Sequence, residues 1–315
     1  MTLVPIYTCY NELPVLGMMS KNNIILPASS GKELFWVIRK SNNKVMFLPK
    51  VPLNDGNNNL FVDFFKSVIA QGFLPYTKLS FGYLNQEMMD ILSKVYLDHT
   101  GKKFPKSKTM KLTAVQSNFD KPDLVFGENS LVGKEYRELR ETRNKFQNKI
   151  KAGKIVLYTN PFMETYLAEI KPLIEPFLKI WDENEGKKYG WQRHSGYDKS
   201  FFTETRYETS MSNLQSNFLV DRETSSLIGY SIISSHPTND QTCFPYVIRK
   251  CNTHYSRNIT MFLDYLSAKA IHELNTGKPF SIHWGASSGG VLKYKLSAFP
   301  KANTAPAYFA TLPTP

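Results

Sequence analysis

A helix pattern that runs directly into a strand pattern near the C-terminus constrains the fold most strongly. Apolar residues recur at three- and four-residue spacing from Ile259 to Leu274, and Gly277 follows as a C-cap. The apolar run Pro279 to Trp284 then predicts a strand, which breaks at Gly285 to Gly290 and resumes in Val291 to Leu296. A strand that directly follows a long helix is typical of an α/β fold, here with a mixed sheet.

Strand patterns and helix patterns also follow one another over the rest of the chain. Strand patterns lie at Leu34–Arg39, Lys44–Leu48, Lys154–Tyr158, Ser216–Asp221, Leu227–Ile233 and Thr242–Arg249. The first two of these strands form a predicted hairpin around Ser41 to Asn43, and the fourth and fifth form another. Helix patterns lie at Leu60–Gly72, Gln86–Tyr96 and Glu164–Asn184. We expect Pro172 and Pro176 to divide the last helix into two pieces.

Composition narrows the class of protein. The 315 residues carry 39 Lys and Arg against 27 Asp and Glu, a formal net charge of +12. This charge favours anionic partners, although general solubility accounts for it equally well. Three cysteines without CxxC spacing argue against a disulfide framework and a thiolate zinc site. The sequence opens without a signal-peptide pattern and its most apolar window is too short to cross a bilayer, so we expect a cytoplasmic protein without a transmembrane segment.

A strongly basic helix pattern lies between Gly133 and Ile150, with eight basic and three acidic residues from Lys134 to Lys154. Its apolar stripe consists of Val132, Tyr136, Leu139, Phe146 and Ile150. One interpretation is a solvated helix with i,i+4 ion pairs such as Glu141–Lys145. The other is a surface that faces phosphates. The sequence leaves both open.

The glycine- and serine-rich break contains Gly285-x-Ser287-x-Gly289, which matches the nucleophile elbow of serine hydrolases. In that fold the acid and the histidine follow the serine, whereas residues 288 to 315 contain no Asp, Glu or His. The six histidines show neither HxxxH nor HxH spacing, so we predict no metal site. We therefore interpret the segment as a turn whose backbone N–H groups and hydroxyls meet a ligand.

A second candidate ligand site lies at the start of the predicted helix 259–274. Its N-terminus offers unpaired N–H groups and the positive end of the helix dipole, with Arg257 beside it. This arrangement suits a pyrophosphate or a carboxylate. An ordinary capped helix with Ser256 or Asn258 as N-cap fits the same residues.

Two segments resemble a known superfamily. Asp264 to Leu274, Gly277, the run Ile282-His-Trp-Gly-Ala-Ser-Ser-Gly-Gly290 and Lys293-Tyr-Lys295 are similar to the closing motif of FemABX-like acyltransferases. Lys134 to Phe146 resembles the helix before the catalytic domain of lysyl-phosphatidylglycerol-synthase C-terminal-type proteins. Both groups belong to the Gcn5-related N-acetyltransferase (GNAT) superfamily. The resemblance implies tandem GNAT-like domains: a degenerate N-terminal domain (1–128), a basic linker helix (129–153) and a C-terminal domain with the active site (154–315).

The resemblance implies an acyl or aminoacyl transferase, which moves an acyl group from a thioester or an aminoacyl-tRNA to an amine or hydroxyl. The chemistry would be mostly positioning and oxyanion stabilisation. The usual cofactor loop of the superfamily is replaced by Thr253 to Asn258, which contains no glycine. Acyl-CoA and aminoacyl-tRNA therefore both stay open as the anionic donor, with no metal. One alternative is a nucleic-acid-modifying or nucleic-acid-binding protein on the same fold, and another is a pseudo-enzyme that binds a ligand through the glycine- and serine-rich turn.

Candidate roles follow from the resemblance and from side-chain chemistry. The candidate catalytic residues are Tyr255, His283 and Lys293. The candidate donor-binding residues are Ser256, Arg257, Asn258, Gly285, Ser287, Ser288, Gly289, Gly290 and Lys295. The candidate acceptor-binding residues are Trp191, Arg193, Tyr197, Arg140 and Arg143. Aromatic rings and guanidinium groups of this kind stack on planar ligands.

Overall fold

The computed structural model describes residues 34–40, 44–49, 53, 56–71, 78–127, 130–186, 198–199, 201–202, 206–237, 242–256, 258–299 and 302–313. Its strands are β1 (Phe35–Lys40), β2 (Lys44–Pro49), β3 (Lys78–Leu84), β4 (Thr109–Phe119), β5 (Ile155–Thr159), β6 (Leu214–Asp221), β7 (Ser226–Ser234), β8 (Cys243–Cys251), β9 (Phe280–Ser287) and β10 (Ala302–Thr311). Its longer helices are α1 (Asn58–Gln71), α2 (Gln86–Thr100), α3 (Arg137–Lys151), α4 (Lys171–Trp181), α5 (Ile259–Leu274) and α6 (Gly289–Ala298).

The described strands form one mixed sheet in the order β1-β2-β3-β10-β4-β9-β8-β7-β6-β5. The pairs β2–β3 and β8–β9 are parallel, and the other neighbours are antiparallel. Strand β10 comes from the end of the chain but lies between β3 and β4. The C-terminal segment is therefore part of the same sheet region as the first 120 residues.

Helices cover both faces of the sheet. One core packs α3 and α5 against the sheet through residues such as Phe146, Phe262 and Trp284. A second core on the β6–β8 region contains Phe177 of α4 and Tyr230 of β7. Because alternate residues of a strand face opposite sides, the two cores lie on opposite faces of this region. A third, phenylalanine-rich core joins α1 and α2 to β1, β2, β3 and β10.

Most of the predicted elements are confirmed, with shifts of a few residues at their ends. The turn Ser41 to Asn43 lies outside the described residues. Three strands were not predicted: β3, β4 and β10. Strand β10 is rich in Ala and contains Pro306, and β4 carries several polar residues, so neither shows a clear apolar alternation.

Three expectations are corrected. Val291 to Leu296 was predicted as a strand but lies in helix α6. Val132 precedes helix α3 and is 76% exposed, so it is not part of the buried stripe. The ion pair on this helix joins Arg137 to Glu141 at 2.9 Å, one turn before the expected pair.

The helix that the prolines were expected to divide is irregular on both sides of α4. A π turn at Tyr166–Ile170 separates α4 from the short helix Met163–Thr165 and ends directly before Lys171 and Pro172. A second π turn follows at Asp182–Gly186, and Pro176 is accommodated inside α4. No helix among the described residues combines the length and apolar character needed to cross a membrane.

Candidate active site

The parallel strands β8 and β9 separate near the middle of the sheet. Their last paired residues are Pro245 and His283, although β8 continues to Cys251 and β9 to Ser287. Pro245 has no N–H with which to extend the ladder. Both strands also carry an irregularity just beyond this point: β8 against β7, and β9 against β4. The result is a gap between two strand ends, which we call the β8–β9 gap.

The irregularity in β9 is a bulge at Gly285. Ala286 pairs with Ala114 and His283 pairs with Gln116, so β9 has two residues where β4 has one. Gly285 has a φ of +77°, which glycine adopts without steric cost. Bulges of this kind bend a strand and redirect its side chains, and they are frequent beside functional sites. The bulge thus marks the place where β9 presents its backbone to other groups.

Two polar groups meet at this bulge. A Cβ at Gly285 would lie 3.8 Å from both the Lys295 Nζ and the Tyr83 hydroxyl oxygen. Lys295 extends from α6 and donates a hydrogen bond to the Trp284 carbonyl oxygen. Tyr83 comes from β3 and has a φ of +57°, a strained conformation for a residue with a side chain. Lys295, Tyr83 and Gly285, which we call the bulge cluster, therefore join distant parts of the sequence.

The Lys295 amine is electrostatically unusual. Burial and the positive charge of Arg249 lower its pKa to about 7, against the opposing effect of Asp264. A fraction of the Lys295 side chains would thus be free amines near neutral pH. A free amine can accept a proton from a reacting group, and the ammonium form can stabilise a developing negative charge.

A buried ion pair holds helix α6 in place. Arg249 of β8 contacts both carboxylate oxygens of Asp264 in α5, and the Tyr294 hydroxyl donates to Asp264 Oδ2 at 2.7 Å. The Arg249 guanidinium also lies 5.7 Å from the centre of the Tyr246 ring. Because Tyr294 precedes Lys295, these contacts fix the segment that carries the amine. On the other side, the Trp284 indole N–H donates to the Ser117 hydroxyl at 2.8 Å.

The start of α6 faces open space. A Cβ at Gly289 or Gly290 would meet no atom of the described chain within 4 Å. Both glycines are exposed, and Ser288 at the N-cap makes no capping hydrogen bond. The first backbone N–H groups of a helix have no intrahelical acceptor and lie at the positive end of its dipole. This end of α6 therefore offers donors to an anionic or carbonyl group.

The predicted candidates at the start of α5 have internal contacts. Tyr255 hydrogen bonds with Asp221, and burial together with this carboxylate raises its pKa to about 12. The Lys149 Nζ lies 4.4 Å from the centre of the Tyr255 ring. Ser256 is buried and accepts a hydrogen bond from Lys145 at 3.3 Å, while Asn258 donates to Thr142 at 3.1 Å. These contacts dock the loop on helix α3.

Predicted candidates on helix α3 also bind their own chain. Arg140 donates to the carbonyl oxygens of Leu131 and Gly133. Arg143 donates to the Ser130 hydroxyl at 3.2 Å. Both guanidinium groups thus anchor the segment before the helix.

The remaining candidates are distributed unevenly. His283 is buried next to the bulge, and Ser287 is buried at the end of β9. Lys293 is exposed on α6 and is not part of the bulge cluster. Arg257, Trp191, Arg193 and Tyr197 lie outside the described residues. Within the described ranges, no group of three or more His, Cys, Asp or Glu side chains lies close enough to hold a metal ion.

The sequence reasoning missed Tyr83, Gln116, Arg249 and Asp264. Tyr83 and Gln116 lie on strands that were not predicted. Asp264 lies off the apolar stripe that the sequence predicts for α5, yet it is 2% exposed. An acid at such a position requires a partner, and Arg249 on the preceding strand was a candidate.

The architecture is similar to that of solved structures. A conserved protein of unknown function from Bacteroides thetaiotaomicron VPI-5482 matches with a TM-score of 0.52 and 13% identity, over 96% of this chain and 98% of that one. L-PGS from Bacillus licheniformis matches with a TM-score of 0.49 and 12% identity, over 88% and 79%. FemX matches with a TM-score of 0.47 and 7% identity, over 99% and 97%. The likeness concerns the fold.

Structures of both kinds named by the sequence resemblance, FemX and L-PGS, are thus among those similar to this chain, as are a tandem GNAT protein and a GNAT-like protein. The expected mixed α/β sheet is confirmed. No protein-family model and no curated protein matches the sequence.

Proposed function

We propose that this chain is an acyl or aminoacyl transferase that moves an acyl group from a thioester or an aminoacyl-tRNA to an amine or hydroxyl. The observation that carries the proposal is the bulge cluster. It places an amine with a pKa of about 7, Lys295, and the Tyr83 hydroxyl each close to the Gly285 backbone, at the edge of the β8–β9 gap. Acyl transfer to an amine needs such a proton acceptor, because an ammonium group is not a nucleophile.

The proposed donor site is the open start of α6. The backbone N–H groups of Gly289 and Gly290 and the hydroxyls of Ser287 and Ser288 would hold the carbonyl or phosphate groups of the donor. Lys295 lies on the same helix, so a donor bound there would have its acyl group close to the amine. We retain acyl-CoA and aminoacyl-tRNA as alternative donors.

The domain division at residues 128 and 154 remains part of this proposal. The proposed reacting centre lies in the C-terminal unit, and Tyr83 is the contribution of the N-terminal unit. The predicted acceptor loop with Trp191, Arg193 and Tyr197 also remains a proposal.

The proposal assigns the proton transfer to Lys295, whereas Tyr255, His283 and Lys293 were the candidate catalytic residues predicted from the sequence. A panel of labelled acyl-CoAs and charged tRNAs, with primary amines and alcohols as acceptors, tests this assignment. We expect one donor class to support transfer and Lys295→Met to lower the rate by about 10²–10⁴-fold. Lys293→Met is the matched variant on the exposed side of the same helix. Absence of transfer with every donor would refute the function, and inactivation by Lys293→Met alone would refute the assignment to Lys295.

The donor site is tested by a pair of variants at Gly290, whose φ lies outside the left-handed region. An aspartate at this position strengthens the helix N-terminus but repels an anionic donor, whereas an asparagine of equal size does not repel it. We expect Gly290→Asp to raise the KM for the donor by about tenfold relative to Gly290→Asn, with kcat nearly unchanged. Equal KM values for the two variants would place the donor elsewhere.

A tRNA donor would in addition need a basic surface. Because Arg140 and Arg143 bind the chain's own backbone and Ser130, their replacement would disturb the fold as well as the surface charge. Lys134 and Lys151 are exposed and give a cleaner test. If tRNA is the donor, Lys134→Glu/Lys151→Glu should weaken its binding and reduce the salt dependence, whereas binding that is independent of salt would exclude this surface.

A further inference from the structure

Two buried polar atoms on neighbouring strands beside the bulge lack a hydrogen-bond partner among the described residues. Gln116 of β4 and His283 of β9 are cross-strand partners, so their side chains lie on the same face of the sheet. Each is only 3% exposed. Neither Gln116 Oε1 nor His283 Nε2 has a hydrogen-bond partner among the described residues. Such atoms are rare in folded proteins and indicate a further bound group.

Neighbouring contacts fix which atom is the donor. The Gly285 N–H donates to His283 Nδ1 at 3.0 Å, so this nitrogen carries no proton. Burial and, second to it, the charge of Lys295 lower the pKa of His283 to about 3, so the imidazole is neutral. Its single proton is therefore on Nε2. The Gln116 Nε2 donates to Asn118 Oδ1 at 2.9 Å, which leaves Gln116 Oε1 as an acceptor.

A hydrogen-bond donor and an acceptor on adjacent strands, both buried, match a single water molecule. A water accepts from His283 Nε2–H and donates to Gln116 Oε1, and buried waters in proteins typically have such polar partners. The two side chains would then form a continuous path from Asn118 to the Gly285 N–H.

We propose that Gln116 and His283 bind one internal water. The hydrogen-bonded series Gln116–water–His283, which we call the relay, is a positioning device that holds the Gly285 bulge against the Lys295 amine. His283 fixes the bulge because its Nδ1 accepts the Gly285 N–H. The water holds the orientation of the His283 ring because it accepts the hydrogen bond from Nε2–H. In this arrangement His283 does not exchange protons with substrate, in contrast to the acid–base role expected from the sequence. The proposal depends on the proposed function only through the role of Lys295.

The test uses the full chain and needs no donor. Nitrogen-15 NMR of the histidine side chains assigns the tautomer of His283, and a crystal structure shows the occupant of the site. We expect the Nε2–H tautomer at pH 7 and one water bonded to both side chains. A proton on Nδ1, a direct bond between Gln116 and His283, or an occupant other than water would each overturn the relay.

The positioning role is tested by the pKa of the Lys295 amine, measured by NMR titration. Gln116→Met has a side chain of similar length but no acceptor. We expect it to shift the Lys295 pKa toward the ordinary value by about half to one unit, comparable to the loss of one hydrogen bond. Ser281→Ala, on the strand and face that carry His283, is the control and should leave this pKa unchanged. An unchanged Lys295 pKa in Gln116→Met, or an equal shift in Ser281→Ala, would contradict the positioning role.

If Gln116→Met does not fold, Gln116→Glu provides a second variant with acceptor oxygens, and it should preserve the water and the tautomer. Loss of the water in Gln116→Glu would count against the relay. A chain that shows the water and the tautomer but transfers no acyl group would refute the proposed function and leave the relay intact. A chain that transfers acyl groups but lacks the water would refute the relay and leave the proposed function intact.

Discussion

Replacing Lys295 by methionine is expected to stabilise the folded protein while it removes the proposed activity. In the folded state the Lys295 pKa is about 7, compared with an ordinary value of 10.5. The unfolded chain therefore binds the proton more tightly, and the bound proton opposes folding. The penalty is complete below about pH 7, decreases as the pH rises from 7 to 10.5, and is absent above that range.

The size of the penalty follows from the two pKa values. Each unit of pKa corresponds to about 1.4 kcal/mol, so the upper bound is about 5 kcal/mol at pH 6. Methionine also loses the hydrogen bond to the Trp284 carbonyl oxygen, which is worth about 1.5–3 kcal/mol for a charged donor. The Lys295 side chain is also only half-buried, so solvent reduces the penalty below its upper bound. We therefore expect a net gain of about 1–3 kcal/mol in the free energy of unfolding at pH 6.

Urea denaturation of both proteins at pH 6, 8 and 10 measures this difference. The gain from Lys295→Met should decrease steadily with pH and be within about 1 kcal/mol of zero at pH 10. The exposed Lys293→Met should change stability by less than about 0.5 kcal/mol at every pH. A Lys295→Met protein that is less stable than the parent at pH 6, or a difference that does not depend on pH, would refute the buried-amine argument.

Three further predictions concern the surroundings of the site. Ser117→Ala leaves the buried Trp284 indole N–H without its acceptor and should cost about 1–3 kcal/mol in urea denaturation; a neutral effect would show that this bond is not needed. Asp264→Asn leaves the Arg249 charge uncompensated and should cost about 3–5 kcal/mol, whereas Arg249→Met combined with Asp264→Leu should recover most of it; an additive double variant would contradict a coupled pair. His283 has a pKa of about 3 when folded and 6.5 ordinarily, so the unfolded state takes up its proton first and stability should fall as the pH drops from 6.5 to 3. His283→Gln should flatten this acid limb, and an unchanged limb would show that His283 does not control it.

The sequence was sufficient for the helices and for strands with clear apolar alternation. Helix α5 follows from the three- and four-residue spacing of its apolar residues, and strand β9 from its short continuous apolar run, which is buried on both faces. Strand β10 could not be predicted in this way. Its small residues and Pro306 resemble a loop, and only the two neighbouring strands supply its hydrogen bonds.

The candidate site was predicted in part. The segment Gly285 to Lys295 was recognised from its motif, and the structure places its bulge and lysine together. Lys293 was predicted as a catalytic residue and Lys295 as a donor-binding residue, in a segment predicted as a strand. A helix makes Lys293 exposed and turns Lys295 toward Gly285. Tyr83 could not be predicted, because its proximity to Gly285 results from strand order over about 200 residues.

The pH dependence of transfer in single turnovers tests the central claim most directly, with donor saturating and acceptor amine in excess. If Lys295 is the proton acceptor, deprotonation of its amine should raise the wild-type rate with an apparent pKa near 7. The titration of the acceptor amine itself adds a separate, more gradual rise in the rate at higher pH. Lys295→Met should lack the inflection near pH 7 and be slower by about 10²-fold or more at every pH. An inflection near pH 7 that persists in Lys295→Met at a nearly normal rate would contradict the account.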